Sequence, residues 1–267
     1  MLSAFINANR KLCWNWQRRL PQAQVDLHDL YERTVADHIN ANPGLKVVDV
    51  GGGKACPFKR RLSPNANAYI IAVDVSADEL EHNRDVDEKR VADITRGLPF
   101  GPREVDLIVS RSVLEHLTDT EAFVRASYEA LKPGGHCIHV LPSRYAPFAI
   151  ANRLMPNAIA RRLLDYLEPF NQGICGFPAH YNRCYPSAMA AAFAGAGFEV
   201  SGVTVNYYQS KYYDFFAPLY ALSVGYELTV RALGLRNLGA SLMIIARKPA
   251  DGAAPSMTAR SLSYSRI

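Results

Sequence analysis

Paired cysteines are missing from this sequence. The 5 cysteines among 267 residues (Cys13, Cys56, Cys137, Cys175 and Cys184) are odd in number, widely spaced and never form a Cys-x-x-Cys pair. Neither a disulfide framework nor a thiolate zinc site is supported, and a reducing cytoplasm is the expected compartment. His28, His38, His82 and His136 form no metal pair at helical spacing, so no metal is expected. An apolar leader is lacking too, because Asn7, Asn9, Arg10 and Lys11 interrupt the first residues. No heptad or short repeat recurs, and 17 Gly and 16 Pro are ordinary numbers, which excludes coiled-coil and collagen-like chains. The basic residues form no continuous stripe and no Asn-Pro-Pro-aromatic signature occurs, so nucleic acid is not an expected partner.

What is present points to one soluble globular core, with 49% of residues hydrophobic and 21% charged. The formal net charge of +5 is unevenly laid out: Arg10, Lys11, Arg18 and Arg19 precede the first acid, Asp26, and Arg153, Arg161 and Arg162 cluster in mid-chain. Such clusters favour an anionic membrane surface or an acidic substrate, or form an ordinary solvated face. Between residues 45 and 141, short apolar runs alternate with polar helical stretches. Leu45–Val50, Tyr69–Val75, Val105–Ser110 and His136–Leu141 are nearly continuous, as strands buried on both faces of a parallel sheet are. Asp119–Leu131 has helical spacing and meets Lys132-Pro133-Gly134-Gly135, a stop and turn. Gln24–Asn42 reads as an amphipathic helix with Leu27, Leu30, Tyr31, Val35 and Ile39 on one face, Pro186–Gly197 as a core helix, and Phe198–Val205 and Ala240–Arg247 as late strands. Strand–helix repetition of this kind predicts a doubly wound α/β fold.

The strongest chemical signal is Val47-Val48-Asp49-Val50-Gly51-Gly52-Gly53-Lys54, a strand entering a glycine cluster and then, by expectation, a helix. Glycines there permit positive φ and close approach to a ligand, and the amides at a helix start favour an anionic group. The simpler alternative is a tight turn without a ligand. Asp74 ends the second strand about twenty residues on, where it can accept both hydroxyls of an adenosine ribose or cap the helix beginning near Ser76. A dinucleotide fingerprint would need a third glycine where Cys56 stands, which argues against a nicotinamide cofactor.

The run Asp49-Val50-Gly51-Gly52-Gly53 resembles the first motif of class I S-adenosylmethionine-dependent methyltransferases of the type 11-like family. The resemblance continues in order through Asp74, Val91-Ala92-Asp93-Ile94, Val105–Ser110, Leu114-Glu115-His116-Leu117, Leu131–Gly135 and Ala196–Val200. It implies a doubly wound, mostly parallel seven-stranded sheet with helical insertions, and S-adenosylmethionine as cofactor. By the resemblance, Asp49, Gly51 and Gly53 line the methionine part, Asp74 and Val75 the ribose side, and Asp93 and Ile94 the adenine. Ser110 would face the sulfonium, with Arg111 toward the substrate. Ala55 stands where the family often has another glycine, and Lys54 has no assigned role.

Oxygen or nitrogen acceptors also need a proton removed. His116 and His180 are the candidate bases, with Glu115 beside the first; the alternative for His116 is to cap or pack its helix, and His139, inside a strand, reads as a hydrogen-bonded core residue. Tyr145 and Tyr181 are candidate substrate contacts. The expected organisation is a helical cap at 1–43, a catalytic domain at 44–248 with insertions near 144–184 and 207–239, and a tail at 249–267. Arg144, Arg153, Arg161, Arg162, Tyr145, Phe148, Tyr166 and Phe170 in the first insertion could cover a substrate, or form a plain helical lid. The second insertion is apolar and aromatic but too interrupted by Asp214, Pro218, Glu227 and Arg231 to span a bilayer. With Leu2, Phe5, Ile6, Leu12, Trp14 and Trp16 at the N-terminus, it points to peripheral membrane contact, or else to a homodimer interface or an extra packed helix. The expected activity is methyl transfer to a small or lipid-linked acceptor, at oxygen of a sugar or polysaccharide precursor or a quinone-like lipid. The alternative is an inactive, membrane-docked accessory subunit with the same fold.

Overall fold

In a computed structural model, residues 2–19, 26–154 and 178–251 are described. The strands are β1 (Lys46–Val50), β2 (Tyr69–Asp74), β3 (Glu88–Val91), β4 (Val105–Arg111), β5 (Leu131–Pro142), β6 (Glu199–Asn206) and β7 (Ser241–Arg247). They form a 7-stranded sheet in the order β3-β2-β1-β4-β5-β7-β6. β1 to β5 run parallel, while β7 lies antiparallel to both β5 and β6. The helices are α1 (Leu2–Gln17), α2 (Leu27–Ala41), α3 (Ala77–His82), α4 (Thr120–Ala130), α5 (Pro147–Leu154), α6 (Pro186–Gly195) and α7 (Ala217–Ala232). Arg161, Arg162, Tyr166 and Phe170, and the tail from residue 252, lie outside the described residues.

Alternation along the strands explains their continuous apolar runs. Val48, Val50, Ile71, Val73 and Ile108 pack with Phe123 of α4 and Phe193 of α6. Val47, Ile70, Leu107 and Val109 pack on the other face with Leu27, Tyr31, Val35 and Ile39 of α2. Asp26 starts α2 by accepting the amides of His28 and Asp29 at 3.0 and 3.2 Å, an N-cap that satisfies two otherwise orphaned donors.

The Lys132–Gly135 turn differs from expectation. α4 does stop at Ala130, but the chain enters β5 at once, and the ladder skips from Val105↔Leu131 to Leu107↔His136. The turn residues are thus absorbed as an irregularity of the strand, pinned by hydrogen bonds between Gly134, Gly135 and Lys248.

The N-terminal segment divides between two places. α2 covers the sheet, but α1 packs on α7 through Cys13, Ala217 and Tyr220, with Asn9 Oδ1 accepting the Ala217 amide at 2.8 Å. Arg10 pairs with Asp214 at 3.0 Å in the same contact. Because Pro142 and Asn206 both lie opposite Ser241, residues 207–240 emerge at the edge where β1, β2, β4 and β5 end. Buried Glu227 fastens this segment: its Oε1 accepts the Gln209 amide at 2.8 Å and the Ser223 hydroxyl at 3.1 Å.

Glu227→Ala leaves the buried Gln209 donor without that acceptor and should cost about 1–3 kcal/mol. Urea unfolding measures this; an unmoved midpoint would show that Glu227 does not hold the segment.

Candidate functional site

The glycine turn is built by backbone approach. Gly51 and Gly53 have φ of +71° and +41°, and a Cβ on Gly51 would stand 2.3 Å from Val113 Cγ2. A Cβ on Gly52 would stand 2.7 Å from Ala72 Cβ. Any side chain at these positions would push β1's loop off its neighbours. The expected helix after Gly53 is not formed. Residues 51–58 run through turns into a short 3-10 segment, Lys59–Arg61. Pro57 disfavours helical backbone at Cys56, and the glycines add no helix propensity.

The turn's amides face inward instead of out to an anion. Gly51 and Gly52 donate to the Val73 carbonyl at 2.7 and 3.3 Å, and Gly53 donates to Asp74 Oδ2 at 3.1 Å. Asn83, 1% exposed, completes the clamp by donating to the carbonyls of Gly52 and Gly53 at 3.0 and 3.1 Å. Sequence reading missed Asn83 because a lone Asn after a short helix carries no signal.

Asp74 is half-buried at the end of β2, and Oδ1 accepts the Ser76 amide at 2.9 Å. Helix α3 is capped by Ser76, whose Oγ accepts the Glu79 amide, so the cap alternative for Asp74 is answered by its neighbour. With two backbone donors, the carboxylate keeps acceptor capacity for a diol. Val75 beside it is 51% exposed, an apolar surface at a strand end. Asp93 caps the turn Ile94–Arg96, accepting the Thr95 amide at 3.0 Å and hydroxyl at 2.6 Å, which holds its carboxyl below the usual range. Ile94 is half-buried against the core.

Asp49 is 4% exposed on the α2 face of the sheet, and burial pushes its carboxyl up to about 7, against the pull of Arg111. The Tyr31 hydroxyl is buried in the field of Asp49 and finds no hydrogen-bond partner among the described residues. Arg111 Nη1 lies 3.6 Å from Glu32 Oε1, and Arg60 and Arg61 approach the other carboxylate oxygen at 2.6 and 3.4 Å. Tyr31, Glu32 and Arg111 thus bring α2 to the site. Sequence reading took α2 only for an amphipathic cover; the available signal was an acid, Glu32, one residue after Tyr31 on the buried stripe.

Two expected contacts are corrected. Ser110 does not face the open edge: it is 0% exposed, and its hydroxyl lies 2.7 Å from His139 Nδ1 on the α4–α6 face. Strand alternation turns Ser110 into that layer and leaves Arg111 at the edge. His139 is the buried, hydrogen-bonded core residue expected, and burial pushes its ring down to about 3. Tyr181 is 3% exposed and part of the core cluster, so its ring is no open substrate contact. Tyr145 is exposed, its ring 5.0 Å from that of Tyr185.

Past β4, Leu114–His116 is a 3-10 turn, not the longer helix expected for His116. The Glu115 carbonyl accepts the amides of His180 and Tyr181 at 2.7 and 2.9 Å, which places both histidine-bearing segments together. His180 is exposed; His116 is half-buried, with Nδ1 3.1 Å from the Pro178 carbonyl and Nε2 3.9 Å from Glu115 Oε1. Glu115 is 4% exposed, Oε2 has no hydrogen-bond partner among the described residues, and burial pushes its carboxyl up to about 8.

A doubly wound sheet with a glycine turn at β1, an acid at β2 and a second acid after β3 defines a nucleoside-binding α/β protein. The profile of the family described as "Methyltransferase domain" matches residues 17–202, and the chain belongs to that family, whose cofactor is S-adenosylmethionine. The ubiquinone/menaquinone biosynthesis C-methyltransferases of Methylococcus capsulatus and Vibrio vulnificus are 27% and 28% identical over 125 and 123 residues. These stretches cover 43% and 42% of this chain and 50% and 46% of the relatives, so the chain spans about half the length of the curated relatives it matches. An S-adenosylmethionine-dependent methyltransferase from Mesorhizobium loti is 21% identical with a TM-score of 0.51, covering 81% of this chain and 97% of that one. The cyclase SpnF is 18% identical with a TM-score of 0.52, covering 82% and 81%. Likeness at this level shows the fold alone.

The residues present fit the cofactor. The glycine turn offers a surface without side chains, Asp74 has spare acceptor sites, Val75 offers an apolar face, and the orphaned Tyr31 hydroxyl sits by Asp49.

Asp49 has a folded pKa raised from 3.8 to about 7, so its contribution to stability is greatest below the lower value and is lost as pH rises through the upper one. Asp49→Asn should therefore raise Tm by several degrees near pH 8 and leave it unchanged near about pH 4. The same variant should bind S-adenosylhomocysteine about tenfold or more weakly, through loss of a charged partner for the ligand's ammonium. Equal melting temperatures across pH would mean that Asp49 is not the strained carboxyl.

Proposed function

We propose that the protein transfers the methyl group of S-adenosylmethionine to a small or lipid-linked acceptor, with a quinone-like lipid ahead of a sugar or polysaccharide precursor. The observation that carries this reading is one edge of the sheet bearing Asp49, Gly51, Gly53 and Asp74 together with Glu115 and His116. The likeness to quinone-biosynthesis C-methyltransferases supports the lipid class. The cofactor supplies a methyl group already activated by its sulfonium, so the protein's task is mainly alignment.

His116 is the proposed proton acceptor. A carbonyl only accepts, so the Nδ1 contact with Pro178 puts the ring proton there and leaves the lone pair on Nε2. Once Nε2 has taken the acceptor's proton, the Glu115 carboxylate, 3.9 Å away, would hold the imidazolium. Removing a phenolic proton activates both the oxygen and the ring carbon beside it, so one base serves either site of methylation. Arg111, Tyr145 and His180 occupy exposed positions and are the proposed acceptor contacts. In the second reading, an accessory subunit, the observation in favour is the missing helix after Gly53, since the turn's amides are bound to β2 and Asp74.

Calorimetric titration with S-adenosylhomocysteine, with NAD as control, separates the two. Saturable micromolar binding of the former alone is expected, and Asp74→Ala should weaken it by about 1.5–3 kcal/mol. No heat with either ligand would favour the accessory subunit. His116→Gln should lower turnover of a hydroxyl-bearing acceptor about 100-fold or more while leaving this binding unchanged; undiminished turnover would remove His116 as the base.

A further inference from the structure

The outward face of α7 carries no charge before its last turn. Pro218, Ala221, Leu222, Gly225 and Thr229 are exposed along it, with Arg231 and Ala232 exposed in the last turn, and Leu222 is 71% exposed. A helix on a soluble surface ordinarily places charged residues there. Of the helix's two charged residues, Glu227 is buried, and Arg231, exposed in the last turn, donates to the Tyr208 hydroxyl at 2.6 Å. α1 extends this apolar face. Phe5 and Phe216 stack with ring centroids 6.5 Å apart, both largely exposed, and Leu12 is exposed on the same side of α1 as Phe5.

The rim is of one sign. α1 holds no acid, and Lys11, Arg18 and Arg19 are exposed along it or just beyond its end. The Arg18 guanidinium lies over the Trp14 ring at 4.1 Å, an aromatic–cation pair suited to the headgroup level. From these observations we propose that α1 and α7 together form a docking surface for an anionic lipid bilayer. No helix among the described residues is long and apolar enough to cross a membrane, so the two helices would lie in the interface plane. A second copy of the chain is a poorer occupant, because a self-complementary contact would bring cationic rims together with Asp214 already paired to Arg10.

The surface is continuous with the site. Residues 207–240 leave the sheet at its ligand-bearing edge, and Gln209 Oε1 accepts the Phe148 amide at 3.1 Å from the segment that follows Tyr145. The Phe148 and Tyr212 rings lie 4.7 Å apart. Resting on the methyl-transfer reading, this contact would let a lipid-linked acceptor reach the edge laterally from the bilayer.

The test is co-sedimentation of the full chain with phosphatidylcholine vesicles, with and without phosphatidylglycerol. Binding should be about tenfold or more stronger with phosphatidylglycerol, and should fall with salt. Leu222→Glu and the pair Lys11→Glu, Arg18→Glu alter only exposed side chains, and each should weaken it about tenfold, with unchanged affinity for S-adenosylhomocysteine. No vesicle binding by the unaltered protein, or equal binding by the variants, overturns the surface. So does a dimer, seen in sedimentation equilibrium, that Leu222→Glu dissociates without any vesicle binding. Vesicle binding without S-adenosylhomocysteine binding would overturn the methyl-transfer reading and leave the surface standing.

Discussion

A side chain on a strand can face only one of two layers, and the site depends on that restriction. In this sheet, Val47 and Val109 face α2 while Val48 and Ile108 face α4 and α6. Asp49 and Arg111 share the parity of the first pair and therefore meet α2. Ser110, one residue away, is sent to the opposite layer and sealed against His139. No local preference of serine or arginine decides this; a one-residue slip of β4 would exchange them. The glycine turn obeys the same logic, since β1 and β4 end side by side and Val113 leaves no room for a side chain at Gly51.

Two carboxyls at the site stand out because each lacks a charged partner at hydrogen-bond distance among the described residues; buried Glu227 lacks one too, but accepts the Gln209 amide and the Ser223 hydroxyl. Glu32 is as buried as they are, but three guanidiniums surround it, and its charge is neutralised in place. Asp49 and Glu115 lie at the ends of β1 and β4 with burial opposing their ionisation. Leaving a buried carboxyl unpaired costs stability, so the arrangement is informative where a ligand or proton could complete it. Asp49 is suited to a cationic group of the cofactor, and Glu115 to a neighbouring imidazolium.

The sheet was largely legible in the sequence because its strands are buried on both faces, and continuous apolar runs announce that directly. The glycine turn, Asp74 and Asp93 were legible because they recur in order along the chain. What escaped depends on tertiary neighbours. Asn83 clamps the turn through two carbonyls, and Glu32 reaches Arg111 from a helix whose pattern shows only its apolar stripe. The helix expected after Gly53 failed because a glycine cluster and Pro57 outweigh a topological habit. Tyr181 was read as a substrate contact, but two amides hydrogen-bonded to the Glu115 carbonyl draw that segment into the core.

The two ends of the chain illustrate the same limit more sharply. Residues 2–17 and 217–232 each show apolar and aromatic side chains in excess of what one buried face requires, and neither segment names its neighbour. Their contact resolves part of the excess: Cys13, Ala217 and Tyr220 are buried between them, while Ser223 and Glu227 turn toward the body of the protein. The remainder, led by Leu222, Phe5 and Leu12, stays outside. Because β7 runs against β5 and β6, the connection that holds α7 has to return to the sheet at the same edge as the glycine turn. The antiparallel seventh strand therefore places a helix with an apolar outer face beside the edge that bears the glycine turn, Asp49 and Asp74.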